Sequence, residues 1–318
     1  MRSALLALML VGCATPDLPQ APTLGRQAPE DGDLLAVVPA EAEVLVSVDV
    51  EALRRSPWTR SVIAAAQKER RPRGFDEIAD VDRLLLVRLP AETGGISLSI
   101  AQGRFDREQV QRAFAQGRSV GQGDFRGCTI WSAGDESAAF LTDRTLLSGA
   151  LPSVRAAIDA AYGRARDMRS QPWLGELRRR FGRDLPPAAI ELAMRVSDTV
   201  RARLREEMVE AEGLERVGAR LELGKGLDLA VVGATTTKPQ AAALIARLGA
   251  ALRELQSRPS LVAMGFGRVL SDVQLAVQGP RVAAELRLDQ RDRDEIARRL
   301  SLVVGVLAQA NKGERGLR

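Results

Sequence analysis

Short stretches of alternating apolar and polar residues recur along the chain, and stretches with apolar residues at helical spacing separate them. Residues 44–50 carry valine at every second position, which is the period of a β-strand. Residues 282–288 place apolar side chains on one face and charged side chains on the other. Because one solvated face is typical of antiparallel sheets, we predict an α+β fold rather than a doubly wound parallel sheet.

The same order of elements is predicted twice, in residues 34–163 and again in residues 186–310: a strand, a helix, a hairpin, a helix, a hairpin and a last helix. We therefore expect a tandem duplication of a strand-helix-(hairpin-helix)2 module, with antiparallel sheets and helices on one face. Residues 164–185 form a basic helical connector, and residues 311–318 form a tail. The predicted strands cover residues 44–50, 81–89, 96–101, 127–131, 138–141, 145–148, 189–197, 218–223, 227–234, 273–277 and 282–288.

Capping signals place several of the helices. Ser56 followed by Pro57 is expected to open one helix, and Asp106 with Gln109 three residues later predicts a capping box. Pro239 lies near the start of a long helix. The last helix is marked by apolar residues at helical spacing, namely Ile296, Leu300, Val303, Val304 and Leu307.

The N-terminal residues predict a membrane anchor. Residues 1–12 have an early arginine, an apolar run too short to span a bilayer and Gly12 directly before Cys13, as in a signal peptide. Residues 10–13, Leu-Val-Gly-Cys, resemble a bacterial lipobox, which implies cleavage between Gly12 and Cys13 and acylation of Cys13. An ordinary secretory signal is the alternative. Residues 13–33 form the lipidated N-terminus and a flexible tether rich in proline. Ala14 after the cysteine resembles lipoproteins sorted to the outer membrane.

The composition removes several classes of chemistry. The chain contains no histidine, so catalytic pairs and zinc sites that need an imidazole are excluded. Once Cys13 is acylated, Cys128 is left single and no internal disulfide can form. The net charge is +5, but aromatic residues make up 3% of the chain, which argues against stacking on nucleic acid. No cofactor is predicted.

Few polar residues form a pattern with chemical meaning. Asp76, Glu77, Asp80 and Asp82 precede a predicted strand, where their carboxylates either bind a divalent cation, act as acid and base, or form a solvated turn. Asp49 and Asp198 stand where a strand gives way to a helix, and we expect both to cap the helix. Cys128 is expected to be a buried thiol, and Trp58 and Trp173 are expected to be core residues. The arginine runs at 70–73 and 178–183 are expected either to be solvated faces or to contact anionic lipid.

The lipobox, the proline-rich tether, the arginine bias and the stretch from Pro39 through Asp49 to Trp58 together resemble lipoproteins of large-genome Gram-negative bacteria such as myxobacteria. The resemblance covers most of the chain, and the lipobox is its one specific motif. It implies a cell-envelope habitat and supplies no catalytic residues.

These features predict a lipid-anchored cell-envelope protein at the outer membrane, facing the periplasm. We expect a non-enzymatic binding or scaffolding module that meets the membrane through its lipid and binds an envelope protein, not nucleic acid. One alternative is a carrier or chaperone for apolar envelope cargo, suggested by the apolar helices of the second half. The other is a carboxylate-dependent hydrolase built on the acidic cluster.

Overall fold

The computed structural model describes residues 33–60, 63, 76, 78–90, 97–181, 188–263, 266–292 and 294. The predicted signal peptide with Gly12 and Cys13, most of the tether, the arginine run at 70–73, the apolar residues of the last helix and the tail lie outside these residues. The chain divides into two compact units, Met1–Arg179 with Ala189–Arg195, and Arg180–Ala188 with Val196–Arg318.

The first unit is an open antiparallel sheet of eight strands in the order β8-β1-β2-β3-β7-β6-β5-β4. Its helices are α1 (Val50–Arg55), α2 (Arg107–Phe114), α3 (Leu151–Ala161) and α4 (Pro172–Phe181), with short 3-10 turns at Leu34–Val37 and Met168–Ser170. Its strands are β1 (Val44–Asp49), β2 (Val81–Arg88), β3 (Ser97–Gly103), β4 (Gly121–Phe125), β5 (Cys128–Ala133), β6 (Glu136–Phe140), β7 (Thr145–Gly149) and β8 (Ile190–Arg195). The structure therefore confirms an α+β fold with a large antiparallel sheet, whereas the duplicated module remains a prediction.

One face of this sheet carries the core cluster that packs against helix α3. Leu98, Ile100 and Leu147 point from β3 and β7 into it and are fully buried. Helix α3 packs on β3, β6 and β7, and its Val154 and Ile158, four residues apart, are fully buried as well. Residues three and four apart lie on one helix face, so the apolar spacing in the sequence explains this packing.

A second cluster lies under α2 on the other sheet face, because it contains Leu146, whereas its neighbour Leu147 points to the first face. The prediction of helices on one face is therefore wrong for this unit. Val110 and Phe114 of that helix pack with Trp131 of β5 and Phe140 of β6. The rings of Trp131 and Phe140 meet edge to face at 5.9 Å between centroids, an arrangement that aromatic pairs prefer. Asp106 caps α2, because its carboxylate accepts a hydrogen bond from the backbone N–H of Gln109. The Gln109 side chain donates to the same carboxylate at 2.8 Å, so only the cap half of the predicted capping box is formed.

The second unit has a four-stranded antiparallel sheet in the order β11-β12-β10-β9. Its strands are β9 (Leu214–Leu223), β10 (Leu227–Thr235), β11 (Gln274–Gln278) and β12 (Arg281–Leu288), and its helices are α5 (Asp198–Glu207), α6 (Lys238–Ser257), α7 (Pro259–Ala263) and α8 (Phe266–Ser271), with a 3-10 turn at Val209–Ala211. Helix α6 packs on β10, β11 and β12. A capping box between Thr237 and Gln240 opens it, with Pro239 in the first turn.

The structure corrects three local predictions. Helix α1 (Val50–Arg55) was not predicted, and Ser56 lies at its C-terminal end. The helix predicted after Ser56 falls largely outside the described residues, of which Arg60 and Ile63 are helical. Helix α5 is capped at Ser197, and Asp198 is its first residue, so Asp198 is not the cap. Strand β4 was not predicted, because all but its last residue are exposed and a strand exposed on both faces shows no alternation.

The core face can be tested by a pair of leucine substitutions. Leu98→Ala removes a side chain that is 0% exposed, and we expect it to lower the free energy of unfolding by about 2–5 kcal/mol. Leu86→Ala on β2, where the side chain is 37% exposed, should cost about 1 kcal/mol or less. Urea unfolding followed by tryptophan fluorescence measures both. Equal losses would contradict the assignment of the two sheet faces.

Candidate functional site

The acidic cluster predicted from the sequence divides into two parts. Asp76 and Asp80 belong to a turn ahead of β2. The Asp76 carboxylate accepts hydrogen bonds from the backbone N–H groups of Ile78 at 2.9 Å and Ala79 at 3.2 Å. The Asp80 carboxylate accepts one from the backbone N–H of Asp76 at 2.8 Å. These two side chains therefore hold the turn together, while Glu77 lies outside the described residues.

Asp82 points to a different set of partners. It lies at the irregularity where β2 and β3 shift register, and its side chain is 20% exposed. Its Oδ1 atom lies 3.0 Å from Nη2 of Arg54 and 3.9 Å from Nη2 of Arg104, and its Oδ2 atom lies 3.3 Å from Nη2 of Arg144. Three guanidinium groups thus surround one carboxylate, and they come from α1, the end of β3 and the turn before β7.

Two of these arginines also bind the turn. Arg54 Nη1 donates to the carbonyl oxygens of Ile78 at 3.0 Å and Ala79 at 2.6 Å. The backbone N–H of Arg104 donates to the carbonyl oxygen of Asp80 at 2.8 Å. Gly103 allows this close approach, because a Cβ atom there would lie 2.0 Å from that same oxygen. The cluster is therefore a junction that joins α1, the turn and the end of β3.

This geometry favours a structural role for the predicted acidic site. Both Asp82 oxygens face guanidinium groups, so a cation would have to displace arginine side chains that already bind there. Among the described residues there is no group of three or more acidic or cysteine side chains placed to hold a metal ion. One carboxylate oxygen of Asp76 and one of Asp80 accept hydrogen bonds from backbone N–H groups, which favours a role in the turn over acid or base chemistry.

The remaining polar candidates have structural partners as well. The Asp49 carboxylate accepts a hydrogen bond from the backbone N–H of Ala52 at 2.7 Å and caps α1, as predicted. Asp198, by contrast, pairs with Arg201 within α5 at 2.7 Å. In the second arginine run, Arg178 pairs with Glu191 at 2.6 Å.

Cys128 is buried, as the sequence predicted. Burial raises the pKa of its thiol, and the nearest polar partner is the hydroxyl of Tyr162, 3.8 Å from the sulfur. Burial also raises the pKa of Tyr162 to about 12. A buried thiol of raised pKa carries little thiolate at neutral pH, so this pair packs the first unit and is not suited to nucleophilic chemistry.

A partly exposed apolar surface is the feature that sequence reasoning missed. It lies on the face of β8, β1 and β2 opposite to Leu45 and Leu85, and the register places Val46 between Leu86 and Leu192. Core-facing neighbours such as Leu85 are 3% exposed, whereas Leu86 is 37% exposed. We call this set the apolar sheet surface; its members are Val44, Val46, Val48, Leu84, Leu86, Ile190, Leu192 and Met194.

A signal for this surface is present in the sequence. Residues 84–87, Leu-Leu-Leu-Val, are apolar at four consecutive positions, and consecutive side chains of a strand point to opposite faces. Such a run therefore requires apolar residues on both faces of β2. The prediction of one polar, solvated face came from residues 282–288 and does not hold for this part of the sheet.

Comparisons with known proteins extend the description of the fold. No family model and no curated protein matches the sequence. Crystal form I of a protein named TP0453 matches with a TM-score of 0.51 at 10% identity, covering 84% of this chain and 96% of that chain. Crystal form III of the same protein has a TM-score of 0.49 at 10% identity, with 82% and 95% covered. At this identity the likeness to crystal form I shows a similar fold and carries nothing about activity.

The helices give one further observation. None of those in the described part of the chain is long and apolar enough to span a membrane.

The arginine junction can be tested against a neighbouring arginine. Arg54→Met removes two hydrogen bonds to carbonyl oxygens and the pair with Asp82, and we expect it to lower the free energy of unfolding by about 1–3 kcal/mol. Arg55→Met is the matched control, because Arg55 is 71% exposed and pairs with Glu51 within one helix. It should cost about 0.5 kcal/mol or less. Urea unfolding measures both, and a loss at Arg55 as large as that at Arg54 would contradict the junction.

Proposed function

We propose that this protein is a lipid-anchored, non-enzymatic binding or scaffolding module of the cell envelope. Acylated Cys13 anchors it at the outer membrane, residues 14–33 hold the body away from the lipid, and the body faces the periplasm. The lipobox-like residues 10–13 support the anchor. No enzymatic activity is proposed, because the acidic residues that suggested a hydrolase are bound to backbone N–H groups and guanidinium groups.

The binding site of this proposal is the apolar sheet surface of the first unit, and the observation that carries it is the partial exposure of these side chains. Leu86 is one of the four large hydrophobic residues that are exposed in the described chain, and it lies among seven other apolar positions on the same face. Contiguous apolar surface of this kind marks interaction sites, since its burial against a partner is favourable. A rigid sheet also holds the side chains in place before binding, which lowers the entropic cost of association.

The proposal includes the tandem duplication of one α+β module. In the first unit the strands lie in the order β2-β3-β7-β6, and in the second unit they lie in the order β9-β10-β12-β11. In each unit the two strands of an earlier hairpin come first in this order. The second strand of a later hairpin follows them, and then its first strand. A helix follows the first hairpin in both units, α2 in one and α6 in the other. The shared order supports two copies of a module, and with them two related surfaces.

A carrier for apolar cargo is the second candidate, and one observation in the second unit favours it. On β9 and β10, Leu221 lies opposite Leu229 and Leu223 lies opposite Leu227. All four side chains are partly exposed. A leucine-rich sheet face of this kind suits an acyl chain or another apolar molecule.

The anchor is tested by replacing each cysteine. Cys13→Ala removes the acceptor of the lipid, and we expect the protein to move from the membrane fraction to the soluble fraction. Cys128→Ser is the control, because that thiol is buried and should leave the protein in the membrane. Cell fractionation and mass spectrometry of the N-terminal peptide measure location and acylation. Retention of unacylated Cys13→Ala protein in the membrane would contradict the anchor.

The binding surface is tested by a photocrosslinking amino acid at position 86 in the full chain, in its own cells. We expect one protein partner to be captured there in a defined adduct, because the side chain would be buried against that partner. The same amino acid at position 108 is the control, since Glu108 of α2 is 86% exposed and is not a member of that surface. A lipid adduct without a protein adduct would favour the carrier. Equal capture from both positions would contradict the surface.

A further inference from the structure

Strand β11 forms the outer edge of the second unit's sheet. It pairs with β12 on one side, and no other strand in the described part of the chain pairs with its outer side. Val277 is 47% exposed, and Gln274, Ala276 and Gln278 are exposed as well. The edge therefore presents backbone groups and side chains that another strand can reach.

The hairpin determines which backbone groups point outward. Gln278 of β11 lies opposite Arg281 of β12, and two residues, Gly279 and Pro280, connect them. Residues that flank a two-residue turn form a hydrogen-bonded pair, and hydrogen-bonded positions alternate along an antiparallel strand. Gln278, Ala276 and Gln274 therefore direct their N–H and C=O groups to β12. Leu275 and Val277 direct theirs away from the sheet.

The composition of this edge is unusual for a solvent-facing strand. Natural sheet edges are commonly protected by charged residues, proline or irregular backbone. Residues 274–278, Gln-Leu-Ala-Val-Gln, contain no charged residue and no proline. The edge of the first unit differs, because β4 contains Asp124 and two glycines, which weaken pairing.

The sequence of β11 also matches itself when it is reversed. In an antiparallel pair of two such strands centred on Ala276, each Gln274 lies opposite a Gln278, each Leu275 lies opposite a Val277, and Ala276 lies opposite Ala276. Amide meets amide and apolar meets apolar, and no like charges face each other. The backbone agrees with this register, because the two residues with outward N–H and C=O groups are Leu275 and Val277, which would form the hydrogen-bonded pairs.

We propose that a second copy of this chain binds at β11, through antiparallel β11–β11 pairing about a twofold axis at Ala276. The pairing joins the two four-stranded sheets into one and satisfies the outward backbone groups of both edges. It is an isologous contact, so it closes at two copies and does not extend into a filament. The inference is independent of the lipid anchor and of the apolar sheet surface.

Disulfide trapping tests the register. Ala276 would form a non-hydrogen-bonded pair with its copy, for which the Cα atoms lie about 4.5 Å apart, within the range that a disulfide spans. Full-length Ala276→Cys protein in membranes should therefore form a covalent dimer under mild oxidation. Ala283→Cys is one control, because Ala283 lies beside Ala276 on β12, one strand inside the edge. Gln122→Cys is the other, an exposed position on the edge strand β4.

We expect Ala276→Cys to form the dimer at least about tenfold faster than either control, because pairing raises the effective concentration of the two thiols. Ala276→Asp places two like charges at the twofold axis and should shift the protein to monomer in sedimentation measurements, with the fold checked by circular dichroism. Equal rates at the three cysteine positions would overturn the proposal. It would be overturned equally by wild-type protein that sediments as a monomer at all concentrations, or by an Ala276→Cys adduct with a different protein.

Discussion

The first unit depends on the pairing of β1 with β8. Val44 to Val48 of β1 lie opposite Met194 to Ile190 of β8, so the register joins positions that are far apart in the sequence. Leu45 and Ala193 face each other in this pairing and are each 3% exposed. Both edges of β1 are hydrogen-bonded as a result, since β2 pairs with its other side. A central strand paired on both sides gives the sheet its continuity.

This pairing also explains how the sheet comes to have apolar residues on both faces. β1 and β8 each carry apolar side chains at successive positions, and β2 does so at residues 84–87. One set is buried on the face of Leu98 and Ile100, and the other set forms the apolar sheet surface. The strand register fixes which set is which, because a shift of one residue would exchange the two faces of a strand. The proposed binding surface is thus a direct consequence of the register that buries Leu45 and Leu85.

Charged side chains in the described chain serve largely to hold backbone together. Asp49 and Asp106 cap helices, Asp76 and Asp80 hold a turn, and Arg54 reaches carbonyl oxygens across the junction. The carboxylates at Asp76, Asp80 and Asp82 suggested a metal or a hydrolase because they are close in the sequence. The structure separates Asp82 from the other two by giving it arginine partners, among them Arg144 from the turn before β7. The chemistry of a residue cluster depends on such distant partners, which a local pattern does not contain.

The sequence by itself determined the α+β class, β1 from its alternating valines, and the caps at Asp49 and Asp106, because these features depend on neighbours within a few residues. It missed α1, since Val50 continues the valine alternation while the Asp49 cap ends the strand. It could not find β4, whose pairing with β5 is made by the backbone and leaves no apolar period. The tertiary structure alone decided that β8 joins β1, that guanidinium groups surround Asp82 and that β11 is an edge. These outcomes depend on which distant segments bury one another, and side-chain alternation and capping are short-range signals that carry no record of that choice.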